Sequence, residues 1–178
     1  MKQIAGNSSK KNLLKKILLL SDTHSHLDDV ILKYVNLADE VWHAGDIGDL
    51  NVTDSLKKLK PLRAVYGNID DAKARMEFPL NNRFLCEKVD VLMTHIGGYP
   101  GKYNAAIREE LTQNPPKLFI CGHSHILKVM FDKKLNFLHM NPGAAGIHGF
   151  HQVRTMLRFE IDGDKIQNLE IVELGNRG

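Results

Sequence analysis

Seven residues combine side-chain type and spacing in a way that can do chemistry: Asp22, His24, Asp46, Asn68, His95, His123 and His125. Each stands just past an apolar run. Asp22 and His24 follow ILLLS, Asp46 follows EVWHAG, and Asn68 follows RAVYG. His95 follows VLMT, and His123 and His125 follow LFICG. Side chains two apart in an extended segment point to one side, so Asp22 with His24 and His123 with His125 can each grip a shared ion. Gly45, Gly67 and Gly122 immediately precede candidate ligands and permit sharp turns or close backbone approach there. The set comprises two carboxylates, one amide and four imidazoles, with no thiolate. That is too many donors for one tetrahedral zinc. It suits two ions sharing a carboxylate, with mixed nitrogen and oxygen ligation for Mn, Fe, Zn, Co or Ni.

The elements that must position these residues alternate at first between strand and helix. Ile17–Ser21, Glu40–His43 and Arg63–Tyr66 read as strands, with helices over Leu27–Leu37 and Val52–Leu59, the second capped by Asn51 or Thr53. Further strands are expected at Arg83–Cys86, Val89–Thr94 and Lys117–Cys121, with a loop at Gly97–Gly101 and a helix at Tyr103–Thr112. The remainder is strand-rich: Leu127–Phe131, Leu135–Met140, Arg154–Ile161 and Ile166–Leu174, the last two joined by the turn Asp162-Gly163-Asp164. Alternation followed by strands predicts an α/β fold of two sheets, or one large mixed sheet, with helices outside. Sites in such folds form beyond the carboxyl ends of the strands, where all five motifs fall.

Taken in order, Asp22-x-His24, Gly45-Asp46, Gly67-Asn68, His95 and Gly122-His123-x-His125 resemble the calcineurin-like metallophosphoesterases. In size the chain is similar to their small bacterial and archaeal phosphodiesterase branch. Asn141-Pro142-Gly143 also looks like an element of that branch. The resemblance, over about residues 16–174, implies a four-layer αββα sandwich of two mixed β-sheets flanked by helices. It implies one divalent ion on Asp22, His24, Asp46 and His125, and a second on Asp46, Asn68, His95 and His123, Asp46 bridging. Mn is the first expectation for the metal, with Fe, Zn, Ni and Co as alternatives. The implied activity is phosphodiester hydrolysis by in-line attack of a metal-bridging hydroxide. Asp46, Asn68 and His95 carry the catalytic expectation. The alternatives are a phosphomonoesterase or nucleotide phosphatase, and a non-catalytic protein-interaction module on the same fold.

Two positions depart from the family pattern. Many members read Gly-Asn-His followed by an acid where this chain has Gly67-Asn68-Ile69-Asp70, and isoleucine cannot protonate a leaving group. Water, Asp70 or another histidine must then do so. His95 is followed by Ile96 rather than glycine.

Bulk properties bound the rest. A chain of 178 residues is expected to form one domain over 15–178, after a flexible tail over 1–14. A net charge of +3 is too weak to argue for a dedicated nucleic-acid partner, and no stretch can span a membrane. Cys86 and Cys121 are too few for a disulfide framework, which points to reduced thiols and a cytoplasmic protein. Its partner is expected to be a small phosphate ester, and a homo-dimer or tetramer fits the branch. The other histidines read less sharply. His26 reads as a surface or helix-start residue, and His43 equally as a ligand-orienting group or a satisfied buried one. His148 and His151 read as loop residues.

Overall fold

A computed structural model describes residues 14–177. The expected tail falls almost wholly on 1–13, outside the described residues. In chain order the elements are β1 (Lys15–Leu20), α1 (Asp29–Leu37), β2 (Glu40–His43), α2 (Asn51–Leu59), β3 (Leu62–Ala64), α3 (Ala72–Glu77), β4 (Asn81–Cys86) and β5 (Val89–Thr94). There follow β6 (Gly98–Tyr99), β7 (Lys102–Tyr103), α4 (Ala105–Gln113), β8 (Leu118–Ile120), β9 (Leu127–Asp132), β10 (Phe137–Pro142), β11 (Val153–Asp162) and β12 (Lys165–Asn176).

Two five-stranded sheets form, in the orders β12-β11-β1-β2-β3 and β4-β5-β8-β10-β9. Each holds a parallel trio, β1-β2-β3 in one and β5-β8-β10 in the other, with antiparallel strands completing the sheet. The trios explain the site. Parallel strands deliver their carboxyl ends to one rim, and the registers end nearly level: Leu20 beside His43, His43 beside Ala64, Met93 beside Ile120. Five loops therefore leave the two sheets at the same height.

The ILLL run is apolar throughout because both faces of β1 are covered. Ile17 and Leu19 join the core between the sheets, with Trp42, Met93, Ile120 and Phe159. Leu18 and Leu20 face the helical side with Ile31, Val35, Val52 and Leu56. A third core sets Ile107 and Leu111 of α4 against Leu92 and Phe119 of the second sheet. The layers are thus helix, sheet, sheet, helix, the expected αββα sandwich.

Local differences have local causes. Neither Asn51 nor Thr53 caps α2; the helix begins on Leu50 without a side-chain cap, and the Thr53 hydroxyl donates to the Leu50 carbonyl instead. The short α3, capped by Asp71, spans six residues, too few for a periodic signal. The expected loop at Gly97–Gly101 closes into the hairpin β6–β7, turned by Gly98 at φ +80° and Gly101 at φ +87°. Tyr103 belongs to that hairpin, and α4 starts after Asn104, whose side chain accepts the Ala106 N–H. Among the described residues, no helix is long and apolar enough to cross a membrane.

Candidate metal centre

The rim gathers six of the predicted residues into two groups, Asp22 with His24 and His125, and Asp46 with His95 and His123. Within each group the ligand-capable atoms all lie within 4.8 Å of one another. Asp46 joins the two. Its Oδ1 lies 3.1 Å from His95 Nε2, and its Oδ2 lies 3.7 Å from His24 Nε2. In the other group, His125 Nε2 stands 3.1 Å from Asp22 Oδ1 and 3.4 Å from His24 Nε2. Asn68 approaches from the β3 loop. It is exposed, follows the Gly67 that packs on Asp46, and lines a cavity of about 360 Å³ together with His95.

Two observations fit these donors to cations. Asp22 Oδ1 and His95 Nε2 are buried and make no well-aligned hydrogen bond, although His125 Nε2 and Asp46 Oδ1 respectively stand 3.1 Å from them. Orphaned buried polar atoms are costly, and facing each other across one space they match a missing positive charge. The backbone is also strained here: Asp22, His24, Asp46, His123 and His125 all have φ between +45° and +69°, where non-glycine residues are uncommon. Asp22 and His24 therefore converge through a turn rather than through the extended spacing read from sequence. His123 and His125 likewise do not share one group; each serves a different one.

Charge follows the same logic. Burial alone would raise the Asp46 carboxyl, but His95, the Ile69 N–H and His24 hold it below the usual carboxylate range. Burial alone would lower His95, but Asp46 and Asp22 pull it above the ordinary histidine range. The carboxylates thus recruit positive charge. His24 moves down, chiefly through burial.

Neighbouring groups orient the donors. His95 Nδ1 lies 2.8 Å from the Ala44 carbonyl, so it carries the hydrogen and leaves Nε2 free to ligate. His151 Nε2 lies 3.0 Å from the Gly146 carbonyl, and its Nδ1 lies 3.2 Å from His125 Nδ1. If Nε2–H of His151 donates to Gly146, its Nδ1 accepts from His125, whose Nε2 is then free. His151 is therefore a support of the site rather than an ordinary loop residue, and His148 packs its ring 5.1 Å from that of His24. His43 is fully buried and ties two ligand loops together. Its Nδ1 accepts the Gly45 N–H and its Nε2 meets the Thr23 hydroxyl. Both readings of His43 hold at once, through backbone loops rather than through a ligand side chain. His26 stands at the start of α1 as expected, 3.0 Å from the capping Asp28.

Asp70 and Asn141 complete the frame. Asp70 accepts backbone N–H groups from Gly67 at 2.7 Å, Gly48 at 2.8 Å and Ile47 at 3.2 Å, clamping the Asp46 loop to the Asn68 loop. With both oxygens so engaged it is a clamp and no proton donor to a leaving group. Asn141 donates to the Gly122 carbonyl at 2.9 Å and the Ser124 hydroxyl at 3.1 Å, bracing the His123–His125 loop. His151 carries no sequence signal, and Asp70, which matches the acid of the family pattern, shows its clamping role only in the fold. Ile69 is 47 % exposed, and its backbone N–H, not its side chain, reaches Asp46.

The model of the calcineurin-like phosphoesterase superfamily domain matches residues 16–164, and the chain belongs to that superfamily. No curated protein matches the chain by sequence. Among solved structures, it is similar to a predicted phosphoesterase of Streptococcus pneumoniae, with TM-score 0.69 and 21 % identity over 90 % of each chain. It is also similar to an archaeal phosphodiesterase, with TM-score 0.68 and 20 % identity over 89 % of this chain and 99 % of that one. A third, Vps29 of Entamoeba histolytica complexed with zinc, has TM-score 0.68 and 16 % identity over 92 % of this chain and 99 % of that one.

Proposed function

From membership of the calcineurin-like phosphoesterase superfamily, we propose that the chain is a binuclear metal-dependent phosphodiesterase. The observation that carries the proposal is the pose of Asp46, one oxygen toward each group of donors. Asp22, His24, Asp46 and His125 would hold one divalent ion, and Asp46, Asn68, His95 and His123 would hold the other, with manganese the first candidate. Two such ions, when bound, would supply a water of lowered pKa as nucleophile and neutralise charge on phosphoryl oxygens. The protein's own part is orientation. His95 presents Nε2 because Ala44 holds its Nδ1, and Asp46 stays ionised beside His95. Asn68 stands at the open edge of the site, where a phosphate arrives.

The absence of a histidine at Ile69 favours diesters whose leaving alcohol needs little protonation. The same absence supports a second reading, a non-catalytic interaction module, for which the likeness to Vps29 is the fold precedent. The test is hydrolysis of bis(p-nitrophenyl) phosphate and p-nitrophenyl phosphate by metal-stripped protein, with Mn²⁺, Ni²⁺, Zn²⁺ and Mg²⁺ restored singly. Metal-dependent turnover that favours the diester and vanishes in Asp46→Asn and His95→Ala is expected. A preference for the monoester would make the chain a phosphomonoesterase. Two ions bound with no turnover of either ester would refute hydrolysis and leave the interaction module.

A further inference from the structure

Two cavities open beside the donors of the second ion, one on each side of a ridge. The first, about 390 Å³, is lined by His123, Asn141, Tyr99, Lys102, Arg108 and Lys128. The second, about 360 Å³, is lined by His95, Asn68, Tyr66, Arg75 and Asn81. Ile96 and Asn104 line both and so form the ridge between them. A tetrahedral phosphorus held at the rim has an ester arm on each side, and two cavities meeting at one ligand set match two arms. A phosphomonoester would fill only one.

The cations lining these cavities have no carboxylate beside them. Among the described residues, Arg63, Arg83, Arg154 and Arg158 pair with carboxylates. Arg75 and Arg108 do not; they donate to the carbonyls of Asp70 and Tyr103 and line the second and first cavity respectively. Lys102 and Lys128 also form no ion pair among the described residues, and no carboxylate lines either cavity. Three cations converging on one concave surface without a counter-charge make a site of positive potential. The first cavity also offers aromatic surface: Tyr99 is 43 % exposed, with Lys128 Nζ 4.3 Å from its ring centroid. Lys128 covers one face of Tyr99, so a flat ring would stack on the opposite face, and an anionic group has three cations to meet.

Building on the phosphodiesterase reading, we propose that the substrate is a diester with two sizeable arms, one of them a nucleotide-like group bearing a further phosphate. That arm lies in the Tyr99, Lys102, Arg108 and Lys128 cavity. The second arm lies in the Asn68 and Arg75 cavity. The reaction transfers the phosphoryl group to water: one P–O ester bond breaks, one P–O bond to water oxygen forms, and the leaving alkoxide takes up a proton.

The test compares kcat/KM for three p-nitrophenyl diesters of the manganese-loaded protein: thymidine 3′-phosphate 5′-(p-nitrophenyl phosphate), thymidine 5′-(p-nitrophenyl phosphate) and methyl p-nitrophenyl phosphate. The 3′-phosphate is expected to raise kcat/KM at least about tenfold over thymidine alone, the worth of one hydrogen bond to a charged group. Thymidine is expected to outperform methyl. In a Lys102→Gln/Lys128→Gln variant the ratio of the first two substrates should fall toward one. Equal values for all three in the wild type, or a ratio unmoved in the variant, would overturn the proposal. Inertness toward all three refutes hydrolysis instead. The cavity is then judged by calorimetry with thymidine 3′,5′-bisphosphate, where equal binding to wild type and variant overturns it and weakened binding to the variant upholds it.

Discussion

Replacing Gly67 with alanine adds one methyl group where the structure has no room for it. A Cβ there would lie 2.1 Å from Asp46 Oδ1 and 2.3 Å from the Asp46 backbone nitrogen. Gly67 is not in the left-handed region, so the damage comes from contact rather than from φ. Cβ contacts below 3.0 Å are essentially never tolerated, so the Asp46 loop must shift by about an ångström. The same Oδ1 lies 3.1 Å from His95 Nε2 and accepts the Ile69 N–H at 3.1 Å, so both contacts are lost together. Overpacking of this kind costs about 1–3 kcal/mol. For a domain of this size each kcal/mol lowers Tm by about 2–4 °C. Ligand distances must hold within roughly 0.2 Å, so metal affinity should fall further than stability, by at least the ~10–100-fold seen when a ligand's support is removed. The assay is calorimetric titration of metal-stripped Gly67→Ala with Mn²⁺ beside thermal melts. Gly101→Ala is the control: nothing lies within 4 Å of its Cβ, and φ +87° alone costs about 1–2 kcal/mol. Gly67→Ala binding manganese with wild-type affinity and stoichiometry would refute both the bridging role of Asp46 and the packing argument.

The remaining predictions use the groups that frame the site. His151→Ala should weaken manganese binding roughly 10–100-fold while leaving the melting temperature of the metal-free protein within about 2 °C, because His151 acts through His125; unchanged affinity would refute the tautomer relay. His43 is held down to about 4 by burial, against 6.5 ordinarily, so its stabilising contribution is complete above pH 6.5 and lost as pH falls toward 4. That loss is about 2 kcal/mol by pH 5 and about 3 kcal/mol in full. Urea unfolding of metal-free protein at pH 7.5 and pH 5 should show a steeper loss in the wild type than in His43→Gln, and equal losses would remove His43 from the account. Burial pushes the Cys86 thiol up to about 11 and Cys121 up to about 12. Iodoacetamide at pH 8 should therefore label neither thiol in the folded protein and both in urea, and rapid native labelling would contradict their burial.

The amino-acid sequence by itself determined the strands and the rim. Apolar runs such as ILLL and VLMT must be buried, and each ends where a carboxylate, amide or imidazole begins. Those are local facts, set by side-chain hydrophobicity and strand periodicity. They sufficed for the layered α/β fold and for naming the candidate ligands, six of which meet at the rim, because parallel strands bring their carboxyl ends to one side wherever they lie in the chain. Strand spacing alone would have put His123 with His125; the grouping that the family resemblance implied has its physical cause only in the tertiary structure. His125 stands beside Asp22, which lies 103 positions earlier in the sequence, while the ring of His123, two residues away, turns to Asp46 and His95. That division arises from left-handed turns at Asp22, Asp46, His123 and His125, whose strain is held by bonds from distant elements such as Asp70 and Asn141. The clamp made by Asp70 and the relay made by His151 show no periodicity, and the acid position that Asp70 fills in the family pattern does not reveal what it binds. Either role exists only once packing has placed a particular N–H or ring nitrogen within hydrogen-bond reach, and that distance is a property of the folded chain.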